Sequence, residues 1–489
     1  MESATTPAPQ AESLRAQVRR AVIWRSGTQI LGQMIAWSST FLVLRLLDPA
    51  DYGLFAMGGV VLVLLNMLNG YGVASALIRQ PDVTLADQRR LFGLLILLNV
   101  ALALAQLALS PLAAAYYGQP KVAALLQAQT VLYLFTPFIA YPQAMLARAM
   151  DFRAQAAVNL ASSVAGALAA LGGALAGWGV WTLVAAPIAL FATRAVGMTM
   201  ALGGVVRPSF DLRGAGALVR FGGLLAAGQG FWFLQSQADI FLAGRAFDPH
   251  LLGLYTTALF LTQIFVSKFV PPLNEVAFSA YARLHHRDGA IAEAFLKAVR
   301  LVMVPAFPFY LGLVVVADPL VEAMLGAKWS DAAPIVRLLA VAMPVMTLNV
   351  LFAPATDAAG RPEIGARNSA TGAVLLPLAF LAGVHWGPLG LAAAWIIAYP
   401  LYLVASCRRT LPVLGVTPRA LAGAVLPPFA AALAMAALVF AAARALPPLP
   451  SVATLAVLAS LGAGTYAAAL LLVARAHAAE LLDAIRRRG

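Results

Sequence analysis

The chain has 489 residues, of which 62% are hydrophobic and 11% charged, and its net charge is +13. A soluble domain has about 45–50% apolar and about 25% charged residues, so this composition excludes that class and indicates a membrane protein. The single cysteine, Cys407, excludes an internal disulfide, and the five scattered histidines form no metal-binding pattern. We therefore expect neither a cofactor nor a metal site.

Long uncharged runs follow one another along the chain, and the run from 91 to 117 is typical. Such runs exceed the roughly 18 residues that a helix needs to cross a bilayer. They lack the alternation of polar and apolar residues that marks transmembrane β-strands. The sequence predicts an all-α polytopic membrane protein with about 14 transmembrane helices. The predicted helices are 24–46, 53–78, 91–115, 122–146, 156–177, 179–202, 218–242, 251–273, 297–317, 333–354, 367–385, 387–406, 420–443 and 451–474.

The basic residues predict which ends of these helices face the cytoplasm. With the N-terminus inside, 27 of the 33 Lys and Arg residues lie in inside segments and 6 lie outside. Cytoplasmic loops are enriched in basic residues, so both termini are predicted to be cytoplasmic. Residues 1–20 are then a cytoplasmic segment and residues 476–489 a cytoplasmic tail. The first twenty residues lack a short apolar core and a cleavage site, so we expect no cleaved signal peptide.

One polar corner of the sequence occurs twice. "FLVLRLLDPADYGLF" (41–55) and "FLAGRAFDPHLLGLY" (241–255) share seven residues at the same positions. Six predicted helices separate the copies, an even number, so the two halves are predicted to be parallel repeats. The predicted domains are a six-helix lobe at 21–205, a second at 206–412, and two extra helices at 413–475. A second pair of segments, beginning at Trp178 and Trp386, supports the duplication.

The corner itself is predicted to have a structural role. Asp48 and Asp248 precede a proline at the start of a predicted helix, where aspartate can cap the helix and proline loses no hydrogen bond. Internal prolines elsewhere, such as Pro142 and Pro308, should kink helices whose freed carbonyls are satisfied by neighbouring helices.

Four stretches carry a resemblance to a known family: "RLLDPADYGLFAM", "GYGVASALIRQ" (70–80), "QADIFLAGRAFDPHLLGLYTTALFL" (237–261) and "EVAFSAYARLHHRDG" (275–289). In these the chain resembles the polysaccharide transporter family, the Wzx-type lipid-linked oligosaccharide flippases of the multidrug/oligosaccharidyl-lipid/polysaccharide exporter superfamily. The resemblance implies a protein of the bacterial inner membrane that is not an enzyme. It would flip an undecaprenyl-diphosphate-linked oligosaccharide from the cytoplasmic to the periplasmic leaflet by alternating access, for O-antigen, capsule or exopolysaccharide biosynthesis.

The implied partners are the lipid-linked oligosaccharide, membrane lipids, and the polysaccharide polymerase and chain-length machinery, with no nucleic acid. One alternative is a cation-coupled multidrug exporter of the same superfamily, although such exporters typically have twelve helices. A membrane-embedded enzyme of polysaccharide assembly is another alternative. It would need a larger outer loop than the longest predicted here, at 318–332.

A carrier for a diphosphate and sugars needs a polar, cationic cavity, because stranded charge in hydrocarbon is costly. Ionisable residues inside predicted helices are therefore functional candidates. The candidate substrate-cavity residues are Arg25, Gln29, Gln33, Asn66, Asn69, Arg194, Arg220, Gln229, Gln237 and Lys268. Arg25, Arg194, Arg220 and Lys268 could instead snorkel to the inner surface, and the uncharged residues could serve as interhelical contacts. Asp239 could accept a coupling proton, pair with Arg245 or cap a helix.

Overall fold

The computed structural model describes residues 31–67, 83–211, 215–284 and 290–473, and it describes only the backbone of 215–228 and Val473. All regular secondary structure in these ranges is helical. The first helices are α1 (31–46), α2 (Pro49–Met67), α3 (Leu85–Tyr117), α4 (Pro120–Gln129), α5 (Val131–Arg148), α6 (Phe152–Leu175), α7 (Trp181–Ala201) and α8 (Ala215–Ala246). The later helices are α9 (Pro249–Lys268), α10 (Val270–Leu284), α11 (Ala290–Leu325), α12 (Ala332–Val350), α13 (Phe352–Ala358), α14 (Pro362–Gly383), α15 (Gly387–Leu414), α16 (Pro418–Ala445) and α17 (Ser451–Val473).

The all-α membrane fold is confirmed. Within the described ranges, eleven helical segments are long and apolar enough to cross a membrane. One of these, Pro362–Leu414, has 53 residues and comprises α14 and α15. It exceeds the roughly 20 residues of a single crossing, so it accounts for more than one predicted span. The full number of fourteen, the orientation of the termini and the lobe boundaries stay predictions.

The described part of the chain forms two compact units. Unit 1 contains the described residues of Met1–Leu46, Leu65–Leu112 and Pro120–Leu224. Unit 2 contains Leu47–Leu64, Ala113–Gln119 and the described residues from Leu225 onward. In unit 2, α11 packs against α12, α16 and α17, while α15 packs against α12 and α14. The two C-terminal helices therefore join the core of unit 2 through α11.

The two copies of the repeated corner lie against each other in unit 2. A Cβ atom on Gly53 would lie 1.9 Å from the carbonyl oxygen of Pro249, and one on Gly253 would lie 1.7 Å from that of Pro49. The approach is reciprocal and involves backbone on both sides, so neither position has room for a side chain. This contact supports the predicted structural role of the corner.

Carboxylates hold the start of the helix in each copy, although in different ways. Oδ1 of Asp248 accepts a hydrogen bond of 2.9 Å from the backbone N–H of Leu251, which confirms the predicted cap of α9. In the first copy, Oδ2 of Asp51 accepts from the backbone N–H of Asp48 at 3.3 Å. Asp48 itself uses Oδ1 to accept from Nζ of Lys328 at 3.1 Å, and no backbone N–H of the described residues bonds to its side chain, so the prediction that Asp48 caps α2 is wrong. The same corner sequence thus meets a different neighbour in each copy.

Neighbouring side chains satisfy carbonyls that helix prolines free. Pro142 cannot donate to the carbonyl of Phe138, and the hydroxyl of Thr199 lies 3.4 Å from that oxygen. Pro308 likewise frees the carbonyl of Val304, which accepts from the hydroxyl of Tyr466 at 2.6 Å. These bonds confirm the predicted compensation and explain how helices that contain proline persist in an apolar bundle.

Candidate functional site

The site in unit 1 is built on helices α5, α6 and α7, which the local sequence brings close together. Asp151 starts α6 by accepting a hydrogen bond of 3.0 Å at Oδ1 from the backbone N–H of Ala154. Helices α6 and α7 pack along most of their length. At Gly197 a Cβ would lie only 2.8 Å from Cγ1 of Val158, so glycine is what allows this approach. Close packing leaves the polar residues of the two helices facing one space.

That space is a cavity of about 410 Å³. Four helices contribute to its wall: α1, α5, α6 and α7. The lining residues are Gly32, Gln33, Ala36, Gln143, Phe152, Gln155, Ala156, Asn159, Ser162, Ser163, Leu190 and Arg194. Amide and hydroxyl groups dominate this lining, and Arg194 supplies a positive charge. The cavity can therefore hydrogen-bond a polar ligand and attract a negative group, as the sequence-based hypothesis requires.

Hydrogen bonds connect the amides of the cavity with its arginine. Nη2 of Arg194 lies 3.5 Å from Oε1 of Gln143, at the outer limit for a hydrogen bond. Nε2 of Gln155 donates to the backbone carbonyl of Gln143 at 3.3 Å. The buried Oδ1 of Asn159 has no hydrogen-bond partner among the described residues. A buried acceptor without a partner costs stability, which makes Oδ1 of Asn159 a candidate to accept a hydrogen bond from a ligand.

Two of the predicted cavity residues, Gln33 and Arg194, line this cavity together. Arg25, Gln29 and Asn69 lie outside the described residues, as does the side chain of Arg220. Asn66 is exposed near the end of α2 and does not line the cavity.

The remaining predicted residues are in unit 2. Gln229 is exposed and Gln237 half-buried, both on α8, and Lys268 is exposed at the last residue of α9. Their assignment to a substrate path stays a prediction.

The other polar residues of the cavity lining are absent from the sequence-based set: the amides Gln143, Gln155 and Asn159 and the hydroxyls Ser162 and Ser163. Gln155 and Asn159 are four residues apart, and Ser162 and Ser163 continue the same helix face. This polar stripe in an otherwise apolar helix is a signal that the sequence does carry. Gln143 follows Pro142 in an apolar stretch, and only the packing of α5 against α6 and α7 gives it a role.

The predicted coupling residue, Asp239, is buried in unit 2. Its Oδ2 accepts a hydrogen bond of 2.8 Å from the hydroxyl of Tyr255 on α9. That hydroxyl in turn accepts from Nε1 of Trp395 on α15 at 2.9 Å. All three side chains are at most 2% exposed. Within the described ranges no ion pair joins Asp239 and Arg245, so the carboxyl is held by neutral groups instead.

Aromatic rings surround this hydrogen-bonded chain. The rings of Trp395 and Tyr399 are stacked with their centroids 5.1 Å apart, and Phe380 on α14 lies 5.3 Å from Trp395. Three or more His, Cys, Asp or Glu side chains do not come together anywhere in the described part of the chain. The carboxyl of Asp239 therefore accepts hydrogen bonds from neutral groups, the hydroxyl of Tyr255 and the backbone N–H of Ile240, beside a cluster of aromatic rings.

Comparison with known proteins decides the family. The family model described as polysaccharide biosynthesis protein matches residues 42–334, which is more than half of the chain. The chain belongs to this family. The predicted resemblance to polysaccharide transporters is thereby confirmed, and the chain is a multi-pass protein of the bacterial inner membrane.

Two curated relatives agree with this family, and one solved structure has a similar fold. The teichuronic acid biosynthesis protein TuaB of Bacillus subtilis (strain 168) is 28% identical, and the match covers 67% of this chain and 68% of TuaB. The succinoglycan biosynthesis transport protein ExoT of Rhizobium meliloti (strain 1021) is 25% identical, with 73% and 72% covered. The lipid II flippase MurJ, in an inward closed conformation, has a similar fold: TM-score 0.74, 11% identity, 93% of this chain and 99% of that chain covered.

Proposed function

We propose that this protein flips an undecaprenyl-diphosphate-linked oligosaccharide from the cytoplasmic to the periplasmic leaflet by alternating access. The cavity of unit 1 is the observation that carries this proposal. An apolar helical bundle that served packing alone would not gather amides, hydroxyls and an arginine around a space of about 410 Å³. Intramembrane ionisable groups such as Arg194 are costly and are therefore functional candidates by default.

The chemistry of the substrate matches what the cavity offers. A sugar presents hydroxyls that donate and accept hydrogen bonds, and Gln33, Gln155 and Asn159 can do both through their amides. A diphosphate presents charged oxygens, which a guanidinium binds better than a neutral donor does. Arg194 is the residue of the described lining that can meet this charge. Without such groups, each polar group of the substrate would cost several kcal/mol in hydrocarbon, of the order of 2–7 kcal/mol.

The names of the relatives support a polysaccharide substrate. TuaB is named for teichuronic acid biosynthesis and ExoT for succinoglycan transport. Both names favour a carrier of polysaccharide precursors over a multidrug exporter or an assembly enzyme. The duplicated corner supports alternating access, because transporters of this kind are commonly built from repeated bundles.

Asp239 is the proposed coupling residue. It is a carboxyl in a helix interior whose hydrogen-bond donors, the hydroxyl of Tyr255 and the backbone N–H of Ile240, carry no charge. A proton or another small cation arriving at this carboxyl would change the charge of a buried site, and such a change can bias a conformational equilibrium. Pairing with Arg245 and a capping role have no contact in their favour among the described residues.

A deletion strain tests the proposal. Without the protein, lipid-linked repeat units should accumulate on the cytoplasmic leaflet, and a plasmid copy should remove them. Arg194→Ala should fail to remove them at normal protein abundance, whereas Arg194→Lys should retain part of the activity. Arg207→Ala, an exposed arginine of unit 1 outside the cavity, is the matched control and should act like the unmodified protein. Normal export by Arg194→Ala would refute the cavity assignment.

A further inference from the structure

Arg409 on α15 differs from the arginines of this chain that pair with carboxylates. Arg90 pairs with Asp211, Arg337 with Asp318 and Arg361 with Glu363. Nη1 of Arg409 instead contacts three neutral oxygens on α14. These are Oγ1 of Thr371 at 2.7 Å, Oδ1 of Asn368 at 3.2 Å and the carbonyl of Arg367 at 3.3 Å. In the described part of the chain no carboxylate neutralises Arg409.

A buried layer holds these oxygens in position. Asn368 is 7% exposed, and its Nδ2 donates to Oγ1 of Thr410, which is fully buried, at 3.2 Å. The carbonyl of Arg367 also accepts from the hydroxyl of Thr371 at 2.9 Å. The guanidinium of Arg409 is thus oriented by groups that are themselves fixed. Preorganisation of this kind lowers the entropic cost of binding a ligand.

The opposite edge of the same guanidinium is open. Arg409 is exposed, and neither its Nε nor its Nη2 has an acceptor among the described residues. These two nitrogens form the edge that binds two oxygens of a phosphate or carboxylate at once. Protein oxygens hold Nη1 of the guanidinium, whereas Nε and Nη2 have no acceptor among the described residues and no carboxylate balances the charge. This arrangement is suited to binding an anion.

The surface beside this edge is apolar, which indicates the kind of anion. Arg367, Thr371, Val374 and Leu378 follow one face of α14 at helical spacing, and Val374 and Leu378 are exposed. In a membrane protein, exposed valine and leucine on a long apolar helix contact acyl chains. A phosphate bound at Arg409 would therefore be the head group of a lipid whose chain lies along Val374 and Leu378.

We propose that Arg409 and the α14 surface form a binding site for an anionic phospholipid. The charge pattern of the sequence puts Arg367 and Arg409 on the expected cytoplasmic side, where basic pockets on membrane proteins bind anionic head groups. This inference requires only that the chain is a membrane protein. It can therefore be tested independently of the proposed transport function.

Lipid binding to the purified full-length chain tests the site. The protein is delipidated in detergent, and its thermal midpoint is followed as phosphatidylglycerol, phosphatidylcholine with the same acyl chains, or inorganic phosphate is added. Phosphatidylglycerol should stabilise the unmodified protein most. Arg409→Gln should weaken its apparent affinity about tenfold, the loss expected for a charge-assisted hydrogen bond. Arg409→Lys keeps the charge but lacks the two-donor edge. Its apparent affinity for phosphatidylglycerol should therefore lie between those of the unmodified protein and Arg409→Gln.

Arg408→Gln is the matched control, because it removes the same charge one residue away and should leave the phosphatidylglycerol effect nearly intact. If phosphatidylglycerol stabilised Arg409→Gln as much as the unmodified protein, the proposal would be overturned. Equal losses of phosphatidylglycerol affinity in Arg408→Gln and Arg409→Gln would also overturn it. Stabilisation by inorganic phosphate as strong as that by phosphatidylglycerol would make this a free-phosphate site and overturn the lipid assignment. Tighter binding of undecaprenyl diphosphate than of phosphatidylglycerol would assign the site to the transported lipid and likewise overturn it.

Discussion

The hydroxyl of Tyr255 lies 2.8 Å from Oδ2 of Asp239, and both side chains are completely enclosed. Replacing Tyr255 by Phe removes the donor and leaves a buried carboxyl without it, which should destabilise the protein by about 1–3 kcal/mol. Asp239→Asn should cost less in the Tyr255→Phe background than alone, because the two residues share one interaction. Thermal unfolding of the two single variants and the double variant measures this coupling. Purely additive effects would contradict it.

The same carboxyl allows a functional prediction. Asp239→Asn keeps the shape and a hydrogen-bond acceptor for Tyr255 but removes the titratable group. If Asp239 couples transport to a cation, the variant should accumulate normally and fail to export, measured by the accumulation of lipid-linked repeat units. Tyr255→Phe should affect stability more than export. Full export by Asp239→Asn would exclude a coupling role.

Asn159 offers a test that separates ligand binding from packing. Its buried Oδ1 has no partner among the described residues, whereas Asn368 uses both its Oδ1 and its Nδ2. Asn159→Leu should therefore leave the thermal midpoint unchanged or raise it, while lowering export. Asn368→Leu should lower the midpoint, by the equivalent of about 1–3 kcal/mol. Loss of stability in both variants would indicate that Asn159 serves packing alone.

The close contact between the two repeated corners predicts that two glycines of α2 differ in how well they tolerate alanine. Gly53→Ala places a methyl group against the carbonyl of Pro249, whereas a Cβ atom on Gly59 would have no neighbour within 4 Å. Gly53→Ala should cost at least the roughly 1–3 kcal/mol typical of overpacking. Gly59→Ala should be neutral or mildly stabilising, because alanine favours helix. Thermal midpoints measured in detergent for the two variants would test this prediction. Similar midpoints would refute the close contact between the two corners.

Near this corner, an ion pair and a ring contact should differ in importance. Nζ of Lys328 bonds to Asp48 at 3.1 Å with both side chains partly exposed, so Lys328→Ala should change the unfolding free energy by under about 1 kcal/mol. Trp329 is fully buried and its ring lies 5.6 Å from that of Tyr52. Trp329→Ala should cost about 3–5 kcal/mol. The reverse order of thermal midpoints would contradict this assignment.

Hydropathy and repeats predict much of the architecture because both are local properties of the chain. The cap at Asp248 and the compensation at Pro142 and Pro308 follow from backbone chemistry that does not depend on which helices are neighbours. Arg194 was also predictable, since a cation in the middle of an apolar run has few structural reasons to be there.

The composition of the cavity depends on helix packing, which the sequence does not display. Gln143 and Arg194 are 51 residues apart in the sequence. Tyr255, which donates to Asp239, is 16 residues from it. Trp395, which donates to Tyr255, is a further 140 residues along the chain. Composition indicates that polar residues must meet somewhere inside the membrane. It does not indicate which of them share a wall.

The reciprocal fit of Gly53 and Gly253 also bears on the predicted duplication of the two halves. After a tandem duplication, one copy of a motif is ordinarily free to accumulate changes while the other preserves the fold. Here each copy is part of the steric environment of the other, so a larger residue in either half would be selected against through its effect on both. Mutual contact between the copies gives a physical reason why the two corner sequences are still recognisably similar.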